Sequence, residues 1–169
     1  MASARSPGPA AEIDILLEAE GWAVLPEAGA RCEAAAMAVL TAHAETFDRP
    51  VELAITLTDD ARIQVLNRDW RDKDKPTNVL SFPAAEVPDD VTPEPLGDVI
   101  VALETVLAEA ADEGKAPLDH LSHLVVHGTL HLLGYDHEQD DEAEEMEDME
   151  RRILAGLGIT DPYALPAET

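Results

Sequence analysis

Residues 117–137, PLDHLSHLVVHGTLHLLGYDH, hold five of the chain's six histidines. Pro117 and Asp119 suit the first turn of a helix, and Gly134 suits the left-handed residue that ends one. At 100° per residue, His120, His123, His127 and His131 fall within an arc of about 80°. Leu121, Val125, Gly128 and Leu132 fall on the far side. The stretch therefore predicts a helix over 117–133 with an apolar back toward the core and a histidine front. Such a helix needs a surface to bury its back, and the rest of the chain must supply it.

Upstream segments supply strands. Residues 12–22, EIDILLEAEGW, open with alternating apolar positions and predict a strand, as do 51–59, VELAITLTD. NVLSFP, 78–83, predicts a short strand ended by Pro83, and GDVIVAL, 97–103, a buried one. Between the last two, residues 84–96 hold three prolines and no periodicity, which predicts a loop. Helices are predicted at 26–45, with Pro26 near the first turn, and after the Asp pair 59–60, where Ile63, Leu66 and Trp70 recur at helical spacing. Further helices are predicted over 103–113 and 140–156. The expected fold is α+β: a small mixed sheet of about four strands covered by helices, with the histidine helix central. A disordered tail is expected over 1–11, rich in Ser, Pro, Gly and Ala, followed by a single metal-binding domain over 12–165.

Histidines at i and i+4 bring two imidazoles within reach of one metal ion. His123 and His131 are about 12 Å apart along the helix axis and cannot share one. A tetrahedral zinc needs a third protein ligand, and the turn allowed by Gly134 brings His137 back toward the pair. His127, His131 and His137 are thus the expected ligands, leaving a fourth position open. His120 and His123 are expected to line the site, with a surface position the plain alternative for His120. The spacing H-x-x-x-H-x-x-G-x-x-H is that of the metzincin peptidases. Those enzymes carry a Glu base directly after the first histidine, and here that position is Gly128. Metal chemistry is kept and the peptidase base is missing.

The net charge is −25, from 36 acids and 11 bases, which by itself argues against a nucleic-acid partner. The charge is unevenly placed. Residues 138–150, EQDDEAEEMEDME, carry nine acids and no base, whereas 62–75, RIQVLNRDWRDKDK, carry five bases against three acids. The acidic run predicts the solvated face of a helix capped by Asp140, with Met146, Met149, Ile153 and Leu157 as its apolar stripe. In the basic segment, Arg71 can hold a phosphate bidentately, or pair with Asp72 or Asp74. Lys73 and Lys75 extend the positive strip. The single cysteine, Cys32, rules out a disulfide within the chain and favours a reducing compartment, the cytoplasm. It is expected as a small buried hydrophobe. No apolar run approaches the ~20 residues of a membrane span, and the N-terminus lacks the apolar segment of a signal peptide.

Taken together, NRDWRDKDKPTNVLSFP (67–83), LGDVIVAL (96–103), HLVVHGTLHLLGYDHEQDDEAEEM (123–146) and LGITDPY (157–163) resemble, in order, the blocks of the YbeY family of bacterial metal-dependent endoribonucleases. The resemblance covers about 51–163. It implies a zincin-like α+β fold and one zinc ion per chain on His127, His131 and His137. It makes Arg71 the family's important arginine and a candidate catalytic residue. It also implies cleavage of single-stranded RNA, near the 3′ end of small-subunit ribosomal RNA, on the assembling small ribosomal subunit. The departures are the tail at 1–11 and the acidity. Two other readings stay open. One is a metal-dependent hydrolase of peptides or small molecules, weakened by Gly128. The other is an assembly factor with a structural zinc, although structural sites usually have four protein ligands.

Overall fold

A computed structural model of the chain describes residues 11–135 and 139–163. Four strands form one sheet: β1 (Ala11–Leu17), β2 (Val51–Thr58), β3 (Val79–Pro83) and β4 (Glu94–Ala102). Their order is β1-β2-β4-β3, with β1, β2 and β4 parallel and β3 antiparallel to β4 at an edge. Five helices accompany it: α1 (Ala28–Ala42), α2 (Asp60–Arg71), α3 (Leu103–Glu113), α4 (Pro117–Leu132) and α5 (Asp140–Gly156). The fold is α+β, as the sequence predicts.

Strand alternation divides the molecule into two layers of unequal weight. On one face, Val51, Leu53, Ile55 and Leu57 of β2 join Val99 and Val101 of β4 beneath α1 and α4, with α5 packed outside. Cys32 belongs to this core, fully buried, and burial pushes its thiol up to about 12 against a small opposing pull from Arg31. On the other face, Leu80 and Ala102 meet Ile63 of α2, with Leu66, Phe82 and Ile100 around them. α3 packs against α4, α2 and β4. α2 begins as predicted, with the Asp59 side chain accepting from the Arg62 backbone amide at 2.9 Å.

Three expectations are corrected. The first strand stops at Leu17 rather than running to residue 22. The chain turns into a single 3₁₀ turn at Glu20–Val24 because Trp22 leaves the strand direction, buries its ring and donates its indole N–H to the Thr58 carbonyl at 2.8 Å. The loop expected to end at residue 96 ends earlier, since β4 already pairs with β2 from Glu94. Gly97, at φ +135°, lies so close to β3 that a Cβ would overlap the Phe82 carbonyl, so the strand continues through a bulge there. Finally, Gln139 occupies the N-cap of α5, and Asp140 is the first helical residue. There its carboxylate still favours the positive helix end. Of the tail expected over 1–11, Ala11 opens β1, and the remainder lies outside the described residues.

Candidate functional site

α4 lies unusually close to the sheet, and Gly128 is the reason. A Cβ at this position would come within 2.9 Å of Val99 Cγ1 and 3.0 Å of Ser81 Oγ. The close approach lets the Ser81 hydroxyl donate to the Gly128 carbonyl at 2.9 Å. The same geometry explains the absence of a peptidase-type base. Position 128 points into β3 and β4, where a glutamate would have no room.

One residue earlier, His127 faces away from the sheet. Its Nε2 lies 3.1 Å from Nε2 of His131, with the rings edge to face at 4.6 Å between centroids. The opposite nitrogens are tied. His131 Nδ1 meets the Tyr135 carbonyl at 2.9 Å, and His127 Nδ1 meets Glu150 Oε2 at 2.7 Å. A carbonyl and an ionised carboxylate only accept, so each Nδ1 carries the proton and each Nε2 presents its lone pair. Two lone pairs turned toward one point repel unless a cation lies between them. Zinc–nitrogen bonds of 2.0–2.1 Å at a tetrahedral angle set the nitrogens about 3.3 Å apart, close to the separation found. The donor set and its spacing therefore fit a metal ion. His137, the third expected ligand, lies outside the described residues.

Glu150 is the residue that sequence reasoning missed. It ends the acidic run expected on a solvated face, yet it is fully buried. Its Oε1 accepts from His123 Nε2 at 2.8 Å and from the Tyr163 hydroxyl, and its Oε2 from His127. Burial alone would raise its pKa, but the hydrogen bonds from His123, His127 and Tyr163 prevail and hold it down at about 2. The carboxylate stays charged and fixes the orientation of His127, a role carboxylates often serve behind metal-binding histidines. A signal was present. At 100° per residue, position 150 falls about 20° beyond Leu157, at the edge of the arc of Met146, Met149, Ile153 and Leu157 and short of buried Leu154, so an acid there borders the apolar side.

The histidine front of α4 is thus an interior surface. His120 is buried at 4% exposure, which sets aside its surface alternative, and its Nε2 meets Glu109 Oε1 of α3 at 2.8 Å. That same oxygen accepts from the Asn78 amide at 3.0 Å. His123 stands between His120 and His127, with ring centroids 6.2 and 6.4 Å away. At the far end, His43 closes the set. Its Nδ1 donates to the Val39 carbonyl at 2.8 Å, leaving Nε2 to accept from the Tyr135 hydroxyl at 2.9 Å. Sequence spacing gave no sign of His43, because 92 residues separate it from Tyr135.

Arg71 ends α2 on the other side of β3. Its Nη2 donates to the Ser81 carbonyl at 2.7 Å, and its guanidinium stands 5.4 Å from the Phe82 ring centroid. Neither Asp72 nor Asp74 pairs with it among the described residues. Asp72 takes a left-handed conformation, φ 59°, and closes the helix. Ser81 joins the two halves of the site: its carbonyl holds Arg71, and its hydroxyl holds the backbone beside His127.

Comparison with known proteins decides the relationship. A model of the family described as Endoribonuclease YbeY matches residues 25–158. The Endoribonuclease YbeY of Azorhizobium caulinodans is 68% identical over 157 residues, covering 93% of this chain and 99% of the relative. The chain belongs to this family. The Endoribonuclease YbeY of Paramagnetospirillum magneticum is 54% identical, covering 90% of this chain and 95% of the relative. The solution structure of TM1509 from Thermotoga maritima superposes with a TM-score of 0.50 at 26% identity, over 90% of this chain and 99% of that one. The family match includes Arg71, His127, His131, His137 and Glu150, and ends before Tyr163. No helix among the described residues is long and apolar enough to cross a membrane.

Proposed function

We propose that the chain is a zinc-dependent endoribonuclease that cuts single-stranded RNA during ribosomal RNA maturation, at the 3′ end of the small-subunit RNA. Its partner would be the assembling small ribosomal subunit in the cytoplasm. The endoribonuclease class comes with the family. The observation that carries the metal dependence is the convergence of His127 and His131 through their Nε2 atoms, 3.1 Å apart, with both Nδ1 atoms already committed.

His127, His131 and His137 would hold one zinc ion, with Glu150 and the Tyr135 carbonyl keeping the first two rings aligned. Bound there, zinc supplies a Lewis acid for the phosphoryl oxygens and activates water near neutral pH. Arg71 would then meet the charge that develops on the phosphodiester. One of its five N–H groups is spent on Ser81, which leaves the outer edge of the fork for a phosphate. The anchor fixes the guanidinium plane in advance, so little ordering remains when substrate arrives. A peptidase is the weaker reading, since position 128 faces the sheet and offers no base.

The test is purified protein offered defined single-stranded RNA and peptide substrates, with and without chelator, beside elemental analysis. RNA cleavage that stops with chelation and returns with zinc supports the proposal. Peptide cleavage, or RNA cleavage indifferent to chelator, rejects it.

A further inference from the structure

Trp70 is 70% exposed on α2, a helix whose other outward residues are polar or charged apart from Ala61 and Val65. An indole left in water loses the hydrophobic gain that burial would bring, and a lone exposed apolar residue would need no explanation. Trp70 is not alone. Its ring stands edge-on to Phe82 at 6.3 Å between centroids, and the Arg71 guanidinium stands 5.4 Å from the same Phe82 ring. An aromatic plane and a guanidinium thus share one support on the edge strand β3. That strand also carries Ser81, which connects Arg71 to the backbone beside His127.

The charge around this patch points to its occupant. Arg62 and Arg68 pair with Asp59 and Asp69. Among the described residues, Arg71, Lys73 and Lys75 have no carboxylate partner within ion-pair distance. Three cations without an ion-pair partner follow the exposed indole in the chain, interleaved with Asp72 and Asp74, and in a chain of net charge −25 they and the indole complement phosphates and bases together.

We propose that Trp70 is a base-stacking platform: a nucleotide of the single strand next to the phosphate held by Arg71 lays its base on the indole. The platform would set which phosphate reaches the histidines. The inference rests on the endoribonuclease reading and adds a subsite to it. Stacking on one aromatic side chain contributes roughly ten- to hundredfold in affinity and tolerates any base.

The experiment uses the zinc-loaded protein, a cleavable single-stranded RNA, and two 2′-O-methyl strands of the same length, one normal and one abasic throughout. Trp70→Ala should raise KM roughly ten- to hundredfold with kcat little changed. Trp70→Phe, which keeps an aromatic face, should restore most of the loss, whereas Trp70→Leu, of similar hydrophobicity, should not. Binding of the normal strand should quench wild-type fluorescence through the exposed Trp70, and the quenching should vanish in Trp70→Phe, where only buried Trp22 remains. The abasic strand should bind wild type and Trp70→Ala alike. Equal KM for wild type and Trp70→Ala, or full rescue by Trp70→Leu, overturns the stacking role while RNA cleavage by wild type leaves the endoribonuclease reading intact. A wild type that fails to cut RNA at all removes that reading instead. A loss of self-association in Trp70→Ala, with RNA binding unchanged, would make the patch a contact between copies and equally overturn the proposal.

Discussion

The two halves of the site are built on opposite physical plans. The histidine half is interior: Glu150 is fully buried, His120 nearly so, and His127 and His131 each have Nδ1 fixed by an acceptor. The arginine half is exposed, and Arg71 is held by one carbonyl and one aromatic ring. A metal centre gains from rigid donors, because any slack in ligand geometry weakens binding. A group that meets a polyanion arriving from water must keep donors exposed. The difference teaches where each substitution should act: on metal and stability in the first half, on rate and substrate binding in the second.

The largest effect should come from removing a proposed metal donor. His131→Ala should abolish RNA cleavage and lower the zinc content of metal-replete protein from about one per chain to near zero, by elemental analysis. Retained zinc would break the comparison at its root. Next comes the exposed half. Arg71→Ala should keep zinc and fold yet lose ~10²–10³ in single-turnover rate, and Arg71→Lys should restore little of it. Affinity for RNA should fall less than the rate, because Lys73 and Lys75 still attract phosphate. A wild-type rate in Arg71→Ala would confine the chemistry to the histidines.

Smaller effects sharpen the boundary between the halves. Glu150→Gln keeps the shape and removes the charge behind His127, so zinc affinity in a chelator competition should drop roughly 10- to 100-fold. Unchanged affinity would show that Glu150 serves packing only. Gly128→Ala forces a Cβ against Val99 and Ser81 and should cost about 1–3 kcal/mol of stability in denaturant unfolding. An unaffected midpoint would mean that α4 and β3 can separate freely. Smallest of all, reversing Glu144 and Glu147 on the outer face of α5 should change cleavage by less than about twofold, since surface charge pairs contribute little. A loss comparable to Glu150→Gln would bring the whole acidic face into the reaction.

Much of this architecture was legible in the chain. Period-two alternation placed β2 and the start of β1, short apolar runs placed β3 and most of β4, and helical spacing placed α2, α4 and α5, because these patterns follow from which side chains must leave water. His127 and His131 were legible as a pair because i and i+4 share a helix face whatever the surroundings. Arg71 was legible as a cation in a basic strip, but the two carboxylates beside it in sequence left its partner undecided.

What the sequence by itself determined was the set of local faces: a helix with its histidines in one arc, a helix with an acid at the edge of its apolar stripe, and strands with one side for the core. Only the tertiary structure decided what each face meets. It turned the histidine front of α4 inward against Glu109 and Glu150, carried His43 to Tyr135 across the chain, and gave Arg71 to the Ser81 carbonyl rather than to Asp72 or Asp74. The physical reason is that periodicity records whether a residue is covered but not by what. The partner of a buried charge is chosen by packing between elements distant in sequence, here by a glycine at 128 that lets α4 settle onto β3.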